Sequence, residues 1–494
     1  MNIANILRAK NLKAKTLRAA RRASIGQRPS GTDRPQVQHN AVRVIVHGKV
    51  QGVGFREYVA KRATRLGLSG WVRNRSDGTV EVLVSRSGNV DSLVQSCNKG
   101  PKRARVDHVD VETCRAKGLG KGFGKRRLYE IIDDPAAITT YQRLGIDQGG
   151  EAFGPLHRSG LLKTYSEDSV ASARDFWREH WSADIDPALH IAYENLTGKP
   201  DPRVVPPKQY RALHRVFNGD RLVKRAFVDK SLYPYLVRTE RQPTNYLRRI
   251  NGRYVDSDNN IIDAADVPQM LAERSRRAII KPSRTANGAK VNLLEVGNNS
   301  ELAVKGRVRS LAQIERLYGD AFVVQEVIEQ HPIMAKVHPH SVNTLRMLTL
   351  RLGREIHHLL TFARFGANGR VNDNAGTGGV CVGVQPDGSF MPQGFNEHAE
   401  VLTRHPTTGV SFAELEHIPN YRAFTEFVLG LHHDLQYYDL VSWDIAVGKD
   451  GLPFFLEHNF EGAMWIYQLT TRQPVFGDVT EDALAYARHL HRDR

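Results

Sequence analysis

The stretch that decides the fold is Leu440–Asn459, which reads LVSWDIAVGKDGLPFFLEHN. Two apolar runs flank the Gly-Lys-Asp-Gly segment at 448–451, and such a segment between apolar runs is typical of a β-hairpin turn. A loop formed by Lys449 and Asp450 alone would pair the two runs as antiparallel strands. The stretch therefore predicts a hairpin near the end of the sequence.

The polar residues of this hairpin share one face of the predicted sheet. A two-residue loop would place Asp444 opposite Phe455, and the period of two along a strand puts Glu457 and Asn459 on the same face. The opposite face would carry the apolar side chains Trp443, Ile445, Val447, Leu452, Phe454 and Leu456. Two carboxylates and an amide oxygen are ligands that Mg²⁺ accepts, although an ordinary exposed hairpin face also commonly carries Asp and Glu.

Two upstream strands end in groups that suit a nucleotide. Residues 277–282 predict a short apolar strand that reaches Lys281 and precedes a small polar loop at 283–289. An ammonium group and flexible backbone amides in that arrangement are suited to phosphate binding. A second apolar strand, at 322–328, runs into polar residues, and its end could offer backbone groups to the edge of a base.

Together with the segment SVNTLR at 341–346, these features resemble the ATP-grasp superfamily, most closely its sugar-transfer-associated branch, over about residues 207–477. The resemblance implies an ATP-grasp fold that binds ATP and Mg²⁺. The implied metal ligands are Asp444, Glu457 and Asn459. The implied nucleotide-binding residues are the lysines Lys230 and Lys281 and the hinge residues Gln325, Glu326 and Ile328. Arg346 lies where the superfamily has a catalytic arginine that faces a phosphate or a carboxylate.

A second chemical pattern lies in the N-terminal part, where HGKVQGVGFR at 47–56 joins a strand to a helix. Gly52 and Gly54 let the backbone direct its N–H groups towards one point, and such a concavity at a helix start binds oxyanions. Arg56 adds a planar fork that matches two phosphoryl oxygens. A tight turn followed by a surface arginine is the alternative interpretation of the same residues.

The surrounding sequence predicts a ferredoxin-like sandwich. Helices at about 55–67 and 89–99 alternate with strands in the order β-α-β-β-α-β, with a last strand at 127–132. The glycine loop, together with GLSGWVRN at 67–74 and DGTVE at 77–81, resembles the acylphosphatase family over about residues 41–132. The resemblance implies two catalytic residues, Arg56 holding the phosphoryl group and Asn74 positioning the attacking water.

A chain of 494 residues is long enough for about three folding units. We expect an α+β protein, with a ferredoxin-like acylphosphatase sandwich at 41–132 followed by an ATP-grasp domain at 207–494. Residues 1–40 form a basic flexible arm. Residues 133–206 form a linker or a helical region, and their membership of the first ATP-grasp subdomain is left open.

Composition excludes several classes of protein. Hydrophobic residues make up 40% of the chain and charged residues 25%, so wholesale disorder is excluded. No apolar run approaches the roughly 18–20 residues of a transmembrane helix. Three cysteines without metal-ligand spacing argue against a disulfide framework and a zinc site.

The net charge of +17 is concentrated in part at the start of the chain, where residues 1–31 hold eight basic residues and no acidic one. This arm could contact an anionic membrane or nucleic acid, or it could remain a solvated tail. Its composition also looks like an organellar transit peptide. Because it lacks the apolar stretch of a secretory signal, the expected location is cytoplasmic.

These expectations combine into an ATP- and Mg²⁺-dependent ligase that phosphorylates a carboxylate and passes the acyl group to an amine. Its partners would be small-molecule or peptide carboxylates and amines, and its product an amide or peptide-like bond. The acylphosphatase domain would hydrolyse acyl phosphates, the species that such a ligase forms. Two alternatives stay open, a small-molecule kinase on the ATP-grasp fold and a non-catalytic phosphate- or nucleotide-binding protein with a basic arm.

Overall fold

The structure is a computed structural model. It describes residues 39–492, apart from 87, 117, 118, 120, 121, 127–129, 131, 133, 182, 183, 220, 285–289, 369–377, 461 and 463. The chain divides into two compact units, the first ending at residue 131 and the second beginning at residue 132. All but the last two residues of the predicted basic arm at 1–40 lie outside the described residues. In the part that is described, no helix combines the length and the apolar character needed to cross a membrane.

The first unit is a sheet covered on one face by two of its helices. Its elements are β1 (His39–Lys49), α1 (Phe55–Arg65), β2 (Gly70–Asn74), β3 (Val80–Ser85), α2 (Val90–Lys99), β4 (Arg105–Ala116) and β5 (Phe123–Lys125). The strand order is β4-β1-β3-β2-β5, and every neighbouring pair is antiparallel except β2 and β5. The predicted ferredoxin-like topology is confirmed. The last strand described in this unit is β5, and residues 127–129 and 131 of the strand predicted at 127–132 lie outside the described residues.

Alternation along β1 separates the two faces of this sheet. The core against α1 and α2 includes Val42, Val44, Val46, Phe55 and Val59. Between the inward valines, Arg43 points to the other face, where its Nε lies 2.7 Å from Oε1 of the buried Glu81. Since successive side chains of a strand point to opposite faces, His47 falls on this polar face as well.

The second unit begins with helices that cover one face of a sheet. These are α3 (Pro135–Arg143), α4 (Phe153–Arg158), α5 (Glu167–Trp181), α6 (Ala188–Thr197) and α7 (Pro207–Phe217). Their buried side chains, such as Trp177 and Leu213, share one core with Leu348, Leu350 and Phe362 from the strands of that sheet. The helical region predicted at 133–206 therefore contributes to the core of the second unit.

An eight-stranded sheet follows two short helices, α8 (Arg221–Phe227) and α9 (Tyr233–Leu236), which flank a 3₁₀ turn at Lys230–Leu232. Its elements are β6 (Asn245–Ile250), β7 (Arg253–Asp256), β8 (Ile261–Ile262), α10 (Val267–Arg274), β9 (Arg277–Pro282), β10 (Asn292–Val296), β11 (Leu302–Val304), β12 (Arg307–Val308), α11 (Leu311–Tyr318) and β13 (Phe322–Gln325). The strand order is β12-β11-β10-β9-β13-β6-β7-β8. Helices α10 and α11 share its core.

A seven-stranded sheet completes the second unit, with the order β18-β17-β16-β15-β14-β19-β20. Its elements are α12 (Pro332–Ala335), β14 (Thr344–Leu352), β15 (Glu355–Phe365), β16 (Val380–Val384), β17 (Phe390–Phe395), β18 (Val401–Leu402), α13 (Tyr421–Asp434), β19 (Leu440–Val447), β20 (Pro453–Asn459), α14 (Met464–Thr471) and α15 (Thr480–Arg492). Helix α13 packs in a separate core with Trp443 and Ile445. The sheet thus lies between two helical layers, and the predicted α+β class is confirmed.

The predicted hairpin is present as β19 and β20, but its predicted register is wrong. Asp444 lies opposite Glu457 instead of Phe455, and the next residue, Ile445, lies opposite Phe455. Leu456 is therefore an extra residue on β20, which is the definition of a β-bulge.

The turn and the bulge together decide which residues face the core, because Val447 already lies opposite Pro453, one residue away from the predicted register, on the turn side of the bulge. Phe455 is fully buried beside Trp443 and Ile445, so the predicted core positions Leu452, Phe454 and Leu456 were wrong. In a regular strand Glu457 would follow Phe455 by two residues and would face the same core. The extra residue turns Glu457 to the opposite face, which is the face of Asp444.

Candidate active sites

The three predicted metal ligands lie together on one face of the seven-stranded sheet. Asp444 and Glu457 are direct partners across β19 and β20. Asn459 bridges them, because its Nδ2 lies 3.1 Å from Asp444 Oδ2 and 3.3 Å from Glu457 Oε1. The Asp444 carboxylate is 3% exposed, so its charge requires partners.

Two arginines supply those partners. Arg346 on β14 lies directly opposite Asp444. The two side chains form a bidentate ion pair, with Nε–Oδ1 2.5 Å and Nη2–Oδ2 2.8 Å. Arg364 on β15 adds a third bond, Nη1–Oδ1, at 3.0 Å. Burial would lower the pKa of Arg346, but the Asp444 carboxylate outweighs burial and raises that pKa well above its ordinary value.

Tyr467 completes the arginine cluster, and the sequence interpretation missed it. Its hydroxyl oxygen accepts a hydrogen bond from Arg346 Nη1 at 2.8 Å. Tyr467 lies on α14, a helix whose apolar residues are buried almost throughout, so it gave no local signal of a polar role. The contact between Tyr467 and Arg346 depends on how α14 packs against the sheet, which the local sequence does not indicate.

The two predicted lysines act on Glu457, Lys230 from its 3₁₀ turn and Lys281 from β9 of the eight-stranded sheet. Lys230 is 6% exposed, and its Nζ lies 3.1 Å from Glu457 Oε2. Its 3₁₀ turn is capped by Asp229, whose carboxylate accepts from Ser231 N, and the Lys230 N–H donates to Ser283 O at 2.9 Å. This bond joins the turn to the chain just after β9, which carries Lys281.

The lysines set the ionisation of Glu457. Burial alone would raise the pKa of Glu457, but the ammonium groups of Lys230 and Lys281 hold it well below its usual range. Burial, with the nearby Lys230 ammonium, lowers the pKa of Lys281 to about 8. The cluster therefore holds two lysines and two arginines around two carboxylates, an excess of positive charge suited to a polyphosphate.

The three predicted hinge residues make different contacts in the structure. Gln325 ends β13 and turns inward, donating from Nε2 to Asn245 Oδ1 at 2.7 Å. The Glu326 carboxylate accepts from Thr244 N and Oγ1 at 3.2 and 3.1 Å. In the described part of the chain no protein group bonds to the backbone N–H or C=O of Ile328. Its backbone is thus the part of the hinge that is left for a ligand.

The residues around Asp444 fit a magnesium ion. Both carboxylates and the amide belong to the oxygen-donor set that Mg²⁺ prefers. The Asn459 Nδ2 donates to both carboxylates. Rotating the side-chain amide by 180° would put its Oδ1 in the place of Nδ2 with almost no change in the shape of the group. Three oxygens would then face one point, an arrangement that only a cation stabilises.

The glycine loop of the first unit forms a second candidate site. Gly52 and Gly54 have φ of +71° and +82°, the left-handed region that favours glycine. Gln51 ties the loop to the β2–β3 turn, because its Nε2 donates to the carbonyls of Arg75 and Thr79 at 2.8 Å each. Gly54 caps α1 without a side-chain bond, so the first amides of the helix point at the loop and remain available to an anion.

The two predicted catalytic side chains of this site are available as well. Arg56 is in the first turn of α1, and Asn74 is the last residue of β2. Both are partly buried, and neither side chain has a hydrogen bond or an ion pair with any other described residue. A planar guanidinium and an amide without protein partners are free to meet a phosphoryl group.

Comparisons with known protein families agree with this division. The family model of sugar-transfer associated ATP-grasp matches residues 230–481, and the acylphosphatase model matches residues 42–124. An acylphosphatase of Rubrobacter xylanophilus is 52% identical over 90 residues, which are 18% of this chain and 82% of that protein. An acylphosphatase of Koribacter versatilis is 48% identical over 97 residues, which are 19% of this chain and 88% of that protein.

Solved structures match the same two parts. The crystal structure of an acylphosphatase from Bacillus subtilis is 37% identical, with a TM-score of 0.17, and covers 17% of this chain and 97% of its own. The structure of the ATP-grasp ligase PsnB with its minimal precursor is 14% identical, with a TM-score of 0.31, and covers 55% of this chain and 64% of its own.

Proposed function

Because this chain belongs to the sugar-transfer associated ATP-grasp family and carries an acylphosphatase domain at 42–124, we propose that it is an ATP- and Mg²⁺-dependent ligase that joins a carboxylate to an amine. In this proposal ATP phosphorylates the carboxylate, and the amine then displaces phosphate from the acyl phosphate. The observation that carries the proposal is the convergence of Asp444, Glu457 and Asn459 with Lys230 on one face of the sheet.

Mg²⁺ held by Asp444, Glu457 and Asn459 would neutralise phosphate charge. Lys230 and Lys281 would exchange their interaction with Glu457 for the ATP phosphates, since Lys230 already pairs with this carboxylate and the charge of Lys281 acts on it. Backbone groups at Ile328 would meet the adenine.

Arg346 would act mainly by positioning. Three of its N–H groups already bind Asp444 and Tyr467, so it holds the metal-binding carboxylate in place. Its remaining N–H groups, with Arg364, would stabilise negative charge as the phosphoryl group moves.

We also propose that the glycine loop hydrolyses acyl phosphates. The loop amides and Arg56 would hold the phosphoryl oxygens, and Asn74 would orient the attacking water. An acyl phosphate has a good leaving group, so charge stabilisation without a strong base is sufficient. The loop would thereby remove acyl phosphate that has not met its amine, an editing activity on the intermediate of the ligase.

Residues 133–206 belong, in this proposal, to the ATP-grasp part of the molecule. Their helices share a core with Leu348 and Phe362 on the sheet face that carries Asp444. A helical layer beside the cluster could shape the binding site for the carboxylate and the amine. The basic arm at 1–31 would contact an anionic surface, and we expect the protein to work in the cytoplasm.

The test is ADP release from ATP with pooled amino acids, in the full chain and in Glu457→Gln, followed by mass spectrometry of the products. The proposal expects ADP and an amide product with the first protein and neither with the variant. Glu329→Gln is the matched control, because Glu329 also pairs with a lysine, Lys449, but on the surface at 2.8 Å. A stable phosphoester in place of an amide would indicate a kinase, and ADP release that persists in Glu457→Gln would reject the site.

A further inference from the structure

Two histidines and an aspartate meet on the polar face of the first unit. His47 is directly opposite His108 across β1 and β4, so both side chains lie on the same face. Asp110 follows His108 by two residues and therefore points the same way. None of the three takes part in the function proposed above.

The three side chains are arranged around one point. The imidazole rings of His47 and His108 are stacked, with centroids 3.9 Å apart and planes 13° from parallel. Both direct Nε2 towards the same oxygen, Asp110 Oδ2, at 2.8 Å from His47 and 4.0 Å from His108. The donor atoms of the three residues all lie within 4.8 Å of one another.

We propose that His47, His108 and Asp110 bind a transition-metal dication, with Zn²⁺ the best fit. Zn²⁺ binds imidazole nitrogen and carboxylate oxygen at about 2.0–2.2 Å in tetrahedral geometry, which requires donors about 3.3 Å apart. The distances from Asp110 Oδ2 to the two Nε2 atoms lie on both sides of that value, so small side-chain rotations would bring the three donors to tetrahedral positions. Because the strands already hold the rings in place, binding requires little further ordering of side chains.

The ligand set distinguishes this site from the one around Asp444. Two imidazole nitrogens suit Zn²⁺, Cu²⁺ and Ni²⁺, whereas a set made only of oxygen donors suits Mg²⁺. The side chains of His108 and Asp110 are 61% and 62% exposed, so water can occupy the fourth position of the ion.

The location gives the bound ion a structural role. His47 lies two residues before the end of β1, after which the glycine loop leads to Arg56, and the β1–β4 register shifts between His47 and Gly48. An ion shared by the two strands at this shift would fasten β1 to β4 at the base of the glycine loop.

The experiment titrates the full chain with Zn²⁺ by calorimetry in excess Mg²⁺, and with Cu²⁺ by electron paramagnetic resonance. The proposal expects one Zn²⁺ site and hyperfine coupling to two nitrogens. His108→Gln should weaken Zn²⁺ binding more than tenfold and abolish the two-nitrogen signal, and Asp110→Asn should weaken binding with the signal retained. Both positions are exposed, so the variants should fold.

His433→Gln is the matched control, because His433 is exposed and pairs with a single carboxylate, Asp434, at 3.3 Å. This variant should bind Zn²⁺ like the unchanged protein. The proposal is overturned if His108→Gln gives the same isotherm as the unchanged protein, or if His433→Gln weakens binding as much as His108→Gln does. It does not depend on the ligase activity.

Discussion

The glycine loop of the first unit and the charged cluster of the second hold phosphate-binding groups in opposite ways. At the loop, Arg56 has no protein partner among the described residues, and the backbone shapes the site. At the cluster, Asp444 is bound by Arg346 and Arg364 from other strands, and Glu457 is bound by Lys230 and Asn459. The loop is thus prepared for an anion without any exchange of bonds, whereas the cluster must exchange internal ion pairs for its ligands.

The largest expected effect follows from removing a charge from the cluster. Asp444→Asn would leave Arg346 and Arg364 buried without their carboxylate, and breaking a buried pair in this way costs about 3–5 kcal/mol. We therefore expect the free energy of unfolding of the second unit to fall by that amount and ADP release to disappear. Denaturant unfolding followed by tryptophan fluorescence measures the first effect.

Asp450→Asn is the control for Asp444→Asn. Asp450 also pairs with an arginine, Arg241, at 3.0 Å, but its side chain is 50% exposed. An exposed pair contributes at most about 1 kcal/mol. Equal losses in the two variants would contradict the difference between buried and exposed pairs on which the comparison rests.

The next largest effect concerns the loop and should appear in activity alone. Arg56→Ala removes a side chain that has no hydrogen bond or ion pair with another described residue, so the free energy of unfolding should change by less than about 0.5 kcal/mol. Hydrolysis of benzoyl phosphate should fall about 10²- to 10³-fold, because a preorganised charge on the phosphoryl group is lost. Lys61→Ala, on the same helix, should hydrolyse benzoyl phosphate normally. A stable Arg56→Ala protein with full activity would refute the assignment.

A smaller effect should appear in the way the stability of the second unit depends on pH. Burial lowers the pKa of His432 to about 4, and its ring nitrogens bond to Thr349 and Tyr438. As the pH falls, a histidine in the unfolded chain, with a pKa near 6.5, takes up a proton before the buried His432 does. His432 therefore lowers the free energy of unfolding between about pH 6.5 and pH 4. At pH 5 the loss is about 1–2 kcal/mol relative to pH 7.

Calorimetry at pH 7 and pH 5 measures this loss as a lower transition temperature of the second unit. His432 belongs to the second unit, so its protonation should not move the transition of the first unit. His432→Gln should reduce the pH dependence of the second unit. An unchanged dependence in that variant would show that other buried groups, such as His190, cause it.

The two sites also differ in how far they follow from the sequence. The loop is a contiguous segment, and its glycines, Arg56 and the helix start lie within ten residues, so local reasoning places them correctly. The strands of the hairpin were equally predictable, since apolar runs and turn residues are local signals. The strand at 277–282 already indicated Lys281, and the family resemblance added Lys230, which no spacing argument would have connected to Glu457.

The failure in the hairpin has two physical causes, one at the turn and one within β20. A period of two holds only in a regular strand, and the extra residue at Leu456 reverses the faces beyond it. Next to the turn the pairing is already shifted by one residue, which places Phe455 opposite Ile445 in the core, and packing of this kind depends on the whole sheet. The same is true of Tyr467, which reaches Arg346 from a helix that the sequence connects to β14 by no local pattern.

The smallest expected effect concerns ATP turnover and the proposed editing of the ligase intermediate by the glycine loop. If the loop edits the ligase intermediate, ATP turnover without an amine should be sustained by hydrolysis of the acyl phosphate, which returns the carboxylate for another cycle. Arg56→Ala combined with Asn74→Ala should therefore lower ADP release severalfold in the absence of an amine and leave it unchanged when the amine is abundant. Addition of a separate acylphosphatase should restore the lost turnover, since it replaces only the hydrolysis. Equal ADP release with and without the two side chains would mean that the loop serves a different acyl phosphate.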